Sequence, residues 1–362
     1  MAMGKRLSKK ESWFKENVLT AQDEIYVGID VHKDQYHVAI WHNGRIGCIY
    51  SMSSDNNKLL QDLHRIRNCL KNVVYEAGPT GYGLVRLLRS AGLPSEVVAT
   101  SKTPRMADSA AKTDRLDCQQ LAEYAAKGLL TFVAIPTEQQ EADRQVVRLR
   151  DQLISKRKRV MQQIKGFLLQ YGIAWPGGGW SKAVLCKLRK MDIGSELRFT
   201  LYQYIDEYEF LSSKIAQTNS RLRRIFGSKR HSAAIKIFKS HPGVGNIVAW
   251  EFRAEMFDIT RFRQPKQISK YIGLCPKISQ SGKTCRQGPI TKTGRRQLRA
   301  ILVQAAWAWY RKDPHARQIY NRLLHNTGNG KKAIVGLAKR IAIHLWRMRC
   351  DGCLYDAGVV KA

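Results

Sequence analysis

Four acidic residues are the first candidates for chemistry in this chain of 362 residues, which has 62 Lys and Arg but only 29 Asp and Glu. Asp30 interrupts an apolar strand pattern, and Glu76 closes a second apolar run. Asp114 and Asp117 lie three residues apart on a predicted helix, so they share one face. Carboxylates gathered in a closed site repel one another unless divalent cations bind them, and oxygen ligands of this kind suit Mg²⁺ or Mn²⁺. The set predicts a divalent-metal site.

Each acid also has a plain structural interpretation. Asp30 would cap a hairpin turn, Glu76 would be a surface charge at a strand end, and the helical pair would be solvated among basic neighbours. Taken jointly, two interruptions of apolar strands and an acidic pair on one helix face are not explained by that interpretation.

The histidines and cysteines do not form a metal-ligand pattern. His32, His37 and His42 belong to the first predicted hairpin, have no carboxylate at ligand spacing and are interpreted as surface residues. Of eight cysteines, only Cys350 and Cys353 form a CxxC, which is half of a zinc site. We interpret them as ordinary thiols in a reducing compartment.

A serine in a basic, glycine-rich segment is a second candidate for chemistry. Ser281 precedes a glycine, and cations crowd the same segment. These cations are Lys283, Arg286, Lys292, Arg295, Arg296 and Arg299. They would lower the energy of a serine alkoxide and of a phosphodiester transition state, which favours phosphoryl transfer. The alternative is that Ser279 and Ser281 are turn residues of a phosphate-binding loop without a bond-making role.

A glycine turn upstream is a candidate for backbone contacts to phosphate. The sequence PGVGNI at 242–247 is similar to the hairpin of a helix-hairpin-helix element, in which amides near Gly243 and Gly245 would meet phosphate oxygens. A plain tight turn explains the same residues equally well.

The charge balance predicts a polyanionic partner. A formal net charge of +33 makes the molecule repel itself unless it lies on a polyanion such as nucleic acid. The longest apolar stretch, residues 300–310, is too short to span a bilayer, which needs about 20 residues. The N-terminus lacks the apolar segment of a signal peptide. We therefore expect a cytoplasmic protein, associated with the nucleoid, with a basic tail at residues 1–20.

The elements that must position these residues change character along the chain. Strands predicted near residues 25–41 alternate apolar and polar residues, and further strands alternate with helices as far as Pro136. This pattern predicts an α/β domain with a mixed sheet. From Glu138 the pattern is that of long helices, and after Arg230 it stays mostly helical with several glycine turns.

The second long helix carries a heptad pattern that predicts self-association. Leu201, Tyr204, Tyr208 and Leu211 begin a series at spacings of three and four that continues to Ile225. The preceding helix has a poorer series from Val146 to Phe167. An intramolecular helical hairpin would use the same residues, but we favour a dimerising coiled coil.

Several short motifs, in their order and spacing, carry a resemblance to a known family. They are YVGIDVHK at 26–33, EAGPTGY at 76–82, KTDRLD at 112–117, HPGVG at 241–245, GLCP at 273–276, Ser281–Gly282, Gly294 and Leu298–Arg299. From residue 25 to about residue 346 the chain resembles the DEDD insertion-sequence transposases, understood as bridge-RNA-guided recombinases. Cys118 stands where members commonly have a small residue, and we expect it to lie away from the site.

The resemblance implies a fold and a domain order. It implies a RuvC-like RNase H fold at residues 21–136 and a helical coiled-coil region at 137–230. A mainly α transposase domain would follow at 231–362. The implied site residues are the DEDD set, Asp30, Glu76, Asp114 and Asp117, and the nucleophile Ser281.

The resemblance also implies partners and a mechanism. Mg²⁺ would be held by the acids, Ser281 would attack the scissile phosphate, and a phosphoserine link would conserve the bond until strand exchange. Similar proteins form dimers that pair into tetramers on donor and target DNA, with a bridge RNA that base-pairs to both. A hydrolytic nuclease that uses the acids and water is the main alternative. A nucleic-acid packaging protein is a second, non-enzymatic one.

Overall fold

The computed structural model describes residues 8–103, 114–281 and 284–356. The chain divides into two compact units, Met1–Ile135 and Pro136–Ala362. Among the residues described, no helix combines the length and the apolar character that crossing a membrane requires.

The first unit is built on a five-stranded mixed sheet. Its strand order is β3-β2-β1-β4-β5, in which β2 is antiparallel to both β1 and β3, and β4 is parallel to both β1 and β5. The elements, in chain order, are α1 (Lys9–Glu16), β1 (Ile25–Val31), β2 (Gln35–His42), β3 (Arg45–Ser53), α2 (Asn56–His64), β4 (Leu70–Glu76), α3 (Gly83–Ser90), β5 (Ser95–Val98) and α4 (Asp114–Ala126). This confirms the predicted mixed α/β domain.

Different helices cover the two faces of this sheet. Ile25, Val27 and Ile29 of β1 are fully buried in a cluster that includes apolar residues of α2 and α3. On the opposite face, Val74 of β4 is buried with Leu121 of α4. Since side chains alternate along a strand, even-numbered residues of β1 and β4 lie on the face that α4 covers.

Part of the predicted basic tail is a helix. Helix α1 begins at Ser8, whose hydroxyl accepts from the amide of Glu11, and its Trp13 is buried in the same core cluster as β1. The Lys10 ammonium contacts both carboxylate oxygens of Asp62 at 3.0 Å. One buried aromatic residue and one ion pair thus fix a segment whose composition alone resembles a solvated tail.

The second unit is mainly helical, as predicted. It contains α5 (Glu138–Gln170), α6 (Lys182–Arg189), α7 (Ser195–Gly227), α8 (Lys229–Lys239), α9 (Asn246–Glu255), α10 (Pro265–Ile272), β6 (Pro276–Ser281), β7 (Thr284–Ile290), α11 (Arg296–Lys312), α12 (Pro314–Thr327) and α13 (Gly330–Asp351). Its largest core cluster lies among α8, α9, α11 and α13.

The two long helices, α5 and α7, pack against each other within one chain. Leu201, Tyr208 and Leu211 of the predicted heptad series are buried there, but Ile205 is buried in place of Tyr204, and Phe226 lies in the core in place of Ile225. The burial pattern follows the 3.6-residue turn of a straight helix, which drifts from a strict seven-residue repeat. The heptad residues are therefore covered inside the chain.

A two-stranded antiparallel hairpin interrupts the helices at residues 276–290. The sequence predicted only turns here, because neither strand alternates apolar with polar residues. Ile278 is 64% exposed and most of the described side chains of β6 and β7 lie in solvent. A strand that buries no face carries no burial pattern for a sequence to show.

Candidate active site

The ends of two parallel strands bring Asp30 and Glu76 together. Ile29 of β1 pairs with Tyr75 of β4, and each acid is the next residue of its strand. Both are even-numbered positions, so both lie on the face covered by α4. The crossover that joins two parallel strands separates the two acids by 46 positions in the sequence, so the sequence alone does not show that they are neighbours.

Helix α4 approaches this face unusually closely at Gly28. A Cβ atom at Gly28 would lie 2.1 Å from the carbonyl oxygen of Cys118 and 2.5 Å from the backbone nitrogen of Ala122. Only a residue without a side chain allows that approach. Asp117 is next to Cys118 on the helix, so the contact brings one of the two helical acids toward the end of β1.

The negative charges of two candidate acids affect the buried thiol of Cys118. Burial, followed by the negative charges of Asp30 and Asp117, raises the pKa of Cys118 to about 12. The Cys118 side chain itself packs with Ala39 and Ala122, and the expectation that it does not touch the site stays a prediction.

A histidine also contacts the first acid. The Nε2 atom of His32 lies 2.9 Å from Oδ2 of Asp30, and the ring of His37 lies edge-on to the ring of His32 at 6.0 Å. His42 instead contacts Asp23 at 3.1 Å. The sequence interpretation of surface histidines missed the first contact, although His32 follows Asp30 by only two residues, just beyond the end of β1.

The acids fit a hard divalent cation by donor type and by placement. Asp114 is the first residue of α4, but its side chain lies outside the described residues. Within the described part of the chain, no three His, Cys, Asp or Glu side chains are grouped closely enough to hold a metal ion. Asp30 and Glu76 follow paired residues of adjacent strands, and Asp117 lies on the helix that covers their face. With Asp114, these are the carboxylates that would hold a divalent cation.

The serine candidate lies at the tip of the hairpin. Ser281 is the last residue of β6 and pairs with Thr284, while Ser279 pairs with Arg286. The Ser281 side chain and all of Gly282 and Lys283 lie outside the described residues. Arg286 is exposed, as are Lys292 and Arg296 beyond the hairpin. These three cations are free to meet a polyanion.

The base of the hairpin is fixed by close backbone contacts. A Cβ atom at Gly294 would lie 2.3 Å from the carbonyl oxygen of Tyr271, and one at Gly273 would lie 2.4 Å from the amide of Thr293. Both glycines have positive φ, 67° and 76°. The Nη1 atom of Arg299 donates to the carbonyl oxygens of Ile272 at 3.2 Å and Gly294 at 3.1 Å. Arg299 therefore joins the two ends of the hairpin segment.

Arg295, another predicted phosphate ligand, instead faces the protein interior. Its Nε atom donates to Oε1 of Glu251 at 3.1 Å, and its guanidinium also pairs with Asp151 and Glu255. Burial, followed by the charge of Asp151, raises the pKa of Glu251 to about 7. Arg295 is thus shared by three carboxylates of low exposure, of which Glu255 is also paired with Arg148 at 3.0 Å, and this gives Arg295 a structural role.

The two glycines of the glycine turn have different surroundings: Gly243 is closely packed, and Gly245 is not. A Cβ atom at Gly243 would lie 2.6 Å from the carbonyl oxygen of Ala305, and the Gly243 amide donates to Nδ1 of His241 at 3.2 Å. Gly245 caps the N-terminus of α9 and has no atom within 4 Å of a built Cβ. Close packing explains Gly243, and contact of Gly245 with phosphate stays a prediction.

Two family models match separate stretches of this chain. A transposase model of the DEDD IS110 type matches residues 27–173, and a model described as the transposase IS116/IS110/IS902 family matches residues 235–321. The putative transposase y4qE of Sinorhizobium fredii is 32% identical over 305 residues, which are 82% of this chain and 75% of that protein. The chain belongs to the IS110 family of DEDD transposases.

Two further relatives of this IS110-family chain come from other bacteria. The transposase for insertion sequence element IS1111A of Coxiella burnetii is 25% identical and aligns over 96% of this chain and 95% of its own length. The transposase for IS1533 of Leptospira borgpetersenii is 25% identical over 78% of this chain and 85% of its own. Membership makes the chain a DNA-processing enzyme of an insertion sequence, and a DEDD site suggests a divalent metal.

Proposed function

We propose that this IS110-family transposase cuts and rejoins donor and target DNA through a phosphoserine intermediate. Asp30, Glu76, Asp114 and Asp117 would hold Mg²⁺, or Mn²⁺, in a RuvC-like first unit, and Ser281 would be the nucleophile. When bound, the metal supplies positive charge that polarises the scissile phosphate. The observation that carries the proposal is the adjacency of Asp30 and Glu76 on the face approached by α4.

The chemical step conserves the phosphodiester bond. The Oγ atom of Ser281 forms a bond to phosphorus, the bond from phosphorus to one sugar oxygen breaks, and a proton passes in net from the serine hydroxyl to that oxygen. In strand exchange, a sugar hydroxyl of another DNA end attacks the phosphoserine and releases the serine. The reaction needs no high-energy cofactor, because one ester replaces another.

The basic residues of the hairpin region would hold the nucleic acid. Arg286, Lys292 and Arg296 are exposed, and lysine and arginine contacts to phosphate position a duplex without reading its sequence. We propose that a structured bridge RNA reads the sequence by base-pairing with donor and target DNA. Such a division of labour is known from other RNA-guided proteins.

We further propose that two copies form a dimer and two dimers form a tetramer on the DNA. Because the heptad residues of α7 are covered within the chain, contact between copies would use the outer faces of α5 and α7. Leu149, Phe199 and Phe210 are exposed on these faces, at 46%, 67% and 59%. Contact with a second copy would remove these apolar side chains from water.

A trapping experiment with a matched serine pair tests the chemistry. The full chain is mixed with end-labelled donor and target DNA, the flanking non-coding RNA and Mg²⁺, and is then denatured. We expect a DNA–protein adduct from the wild type and from Ser279→Ala, but neither adduct nor cleavage from Ser281→Ala. Cleavage by Ser281→Ala at the wild-type rate would show instead a hydrolytic nuclease that uses water.

A second experiment tests RNA guidance apart from the chemistry. We expect RNA that co-purifies with the chain to come from the non-coding DNA beside its gene and to contain loops complementary to the element's end and its insertion site. Changing one loop should redirect insertion to the matching new target. Unchanged insertion sites would contradict guidance by RNA while leaving the serine chemistry intact.

A further inference from the structure

The last three helices of the second unit line a solvent-open cavity of about 720 Å³ that the proposed chemistry does not use. Trp307 of α11, Tyr320 of α12 and Ile334 and Lys331 of α13 line it. A cavity of this volume is in the range of sites that bind small organic groups.

Two aromatic rings of the cavity are held in place by a third. The ring centroids of Trp307 and Tyr320 lie 6.0 Å apart at 47°, and Tyr310 packs edge-on against both, at 5.8 Å and 4.8 Å. Trp307 is nevertheless 38% exposed. A tryptophan that is fixed by its neighbours and still open to solvent is a preformed surface for stacking a flat ligand.

The rim of the cavity is positively charged. Lys331 and Lys332 are exposed at the start of α13, and no acidic residue stands in the first turn of that helix. The Asn329 side chain already accepts from the amides of Lys331 at 2.9 Å and Lys332 at 3.2 Å. The groups left for an anion are therefore the lysine ammonium groups.

We propose that this cavity binds an unpaired nucleobase of a single-stranded nucleic acid, with the base stacked on Trp307 and the neighbouring phosphate at Lys331. Aromatic rings beside a cation are the combination that binds single strands without reading their sequence. An apolar peptide side chain would use the same rings but would gain nothing from the lysines. The inference rests on the proposed function only in requiring a nucleic-acid partner.

Binding of labelled oligonucleotides to the full chain tests this site without any cleavage. Single-stranded RNA and DNA of equal length form two arms, and oligomers of the same length that lack all bases form the control. We expect Trp307→Ala to weaken binding of at least one base-containing single strand about tenfold. Trp307→Phe, which keeps a ring, should restore most of the affinity. The arm that responds identifies RNA or DNA as the source of the base.

Two control variants separate stacking from charge and from general loss of surface. Lys331→Ala should lower the slope of log affinity against log salt by about 0.7, the value for one phosphate contact on a single strand. Phe132→Ala, which removes a ring of similar exposure in the first unit, should bind as the wild type does. Unchanged binding by Trp307→Ala would overturn the site. An equal loss on oligomers without bases would overturn the stacking assignment.

These outcomes are distinguishable from failure of the serine chemistry. A chain that stacks single strands through Trp307 but forms no phosphoserine adduct would retain this site and lose the proposed mechanism. A chain that forms the adduct but binds equally well without Trp307 would do the reverse.

Discussion

Gly28 of the central strand lies directly beneath the carbonyl oxygen of Cys118, where a built Cβ atom would be 2.1 Å from that oxygen. Helix α4 can therefore lie this close to β1 at the acidic site only because Gly28 has no side chain. Moving α4 outward would also move Asp117 away from Asp30.

Gly28→Ala should separate α4 from the sheet. Because the added carbon collides with backbone atoms that cannot rotate away, we expect a loss of about 3 kcal/mol in the free energy of unfolding, together with loss of metal-dependent cleavage. Urea unfolding measures the first effect. Gly178→Ala is the control, since nothing lies within 4 Å of its built Cβ. Equal stability of the two variants would contradict the close approach.

Asp30→Asn and Asp117→Asn should remove cleavage but leave the fold and nucleic-acid binding intact. Each change keeps the shape of the side chain and removes a charged metal ligand, so we expect cleavage to fall at least about 100-fold. Asp34→Asn, an exposed residue in the turn after β1, is the matched control. Cleavage by Asp30→Asn at the rate of Asp34→Asn would rule out the metal site.

Arg295 and Arg296 are adjacent cations with different environments. Substitution of Arg295 should affect the stability of the fold, and substitution of Arg296 should affect DNA binding. Arg295→Met leaves Asp151, Glu251 and Glu255 without their shared partner, so we expect a loss of about 3–5 kcal/mol in stability. Arg296→Met should leave the melting temperature unchanged and lower the salt dependence of DNA binding by about one phosphate contact. Thermal unfolding and binding titrations check both, and a stable Arg295→Met variant would contradict the buried ion-pair cluster.

Glu251 should make the stability of the second unit depend on pH. Burial raises its pKa in the folded chain to about 7, above its ordinary value of 4.5. Between these values the folded chain holds more protons than the unfolded chain. The contribution of Glu251 is thus fully present below about pH 4.5 and is lost as the pH rises through 7.

Glu251→Gln cannot ionise but keeps an oxygen that accepts from Arg295. We expect the free energy of unfolding of this variant, relative to that of the wild type, to increase by about 1–3 kcal/mol between pH 4.5 and pH 8. Urea unfolding at several pH values measures the difference. A difference that stays constant over this range would show that Glu251 does not titrate there.

The sequence predicted the elements whose burial leaves a periodic pattern. Ile25, Val27 and Ile29 are each fully buried and alternate along β1, so the first hairpin and the mixed sheet could be predicted. Helix α2 ends at His64, and the chain then turns into β4 at Leu70. The exposed hairpin of β6 and β7 buries few side chains. Its sequence therefore has no alternation of apolar and polar residues from which the strands could be predicted.

Much of the site depends on contacts between residues distant in sequence. The acids could be predicted as candidates, but the pairing of Ile29 with Tyr75 that brings them together is set by the sheet. Arg295 is 144 residues from Asp151 and 44 from Glu251. The sequence around Arg295 therefore contains no sign of these partners, and it looks like one more cation of a basic segment. Only the fold distinguishes a buried partner of carboxylates from a ligand of phosphate.

Because of how the hairpin is anchored, the sequence of residues 276–290 can change independently of the helices on either side of it. The base is held by backbone atoms near Gly273 and Gly294 and by Arg299, and none of these contacts uses a side chain of either strand. Substitutions along the strands, except at Ile290, which packs against the core of the second unit, therefore alter what the tip meets without loosening its attachment. An exchange of this segment between related chains would transfer the serine and its surroundings as one module.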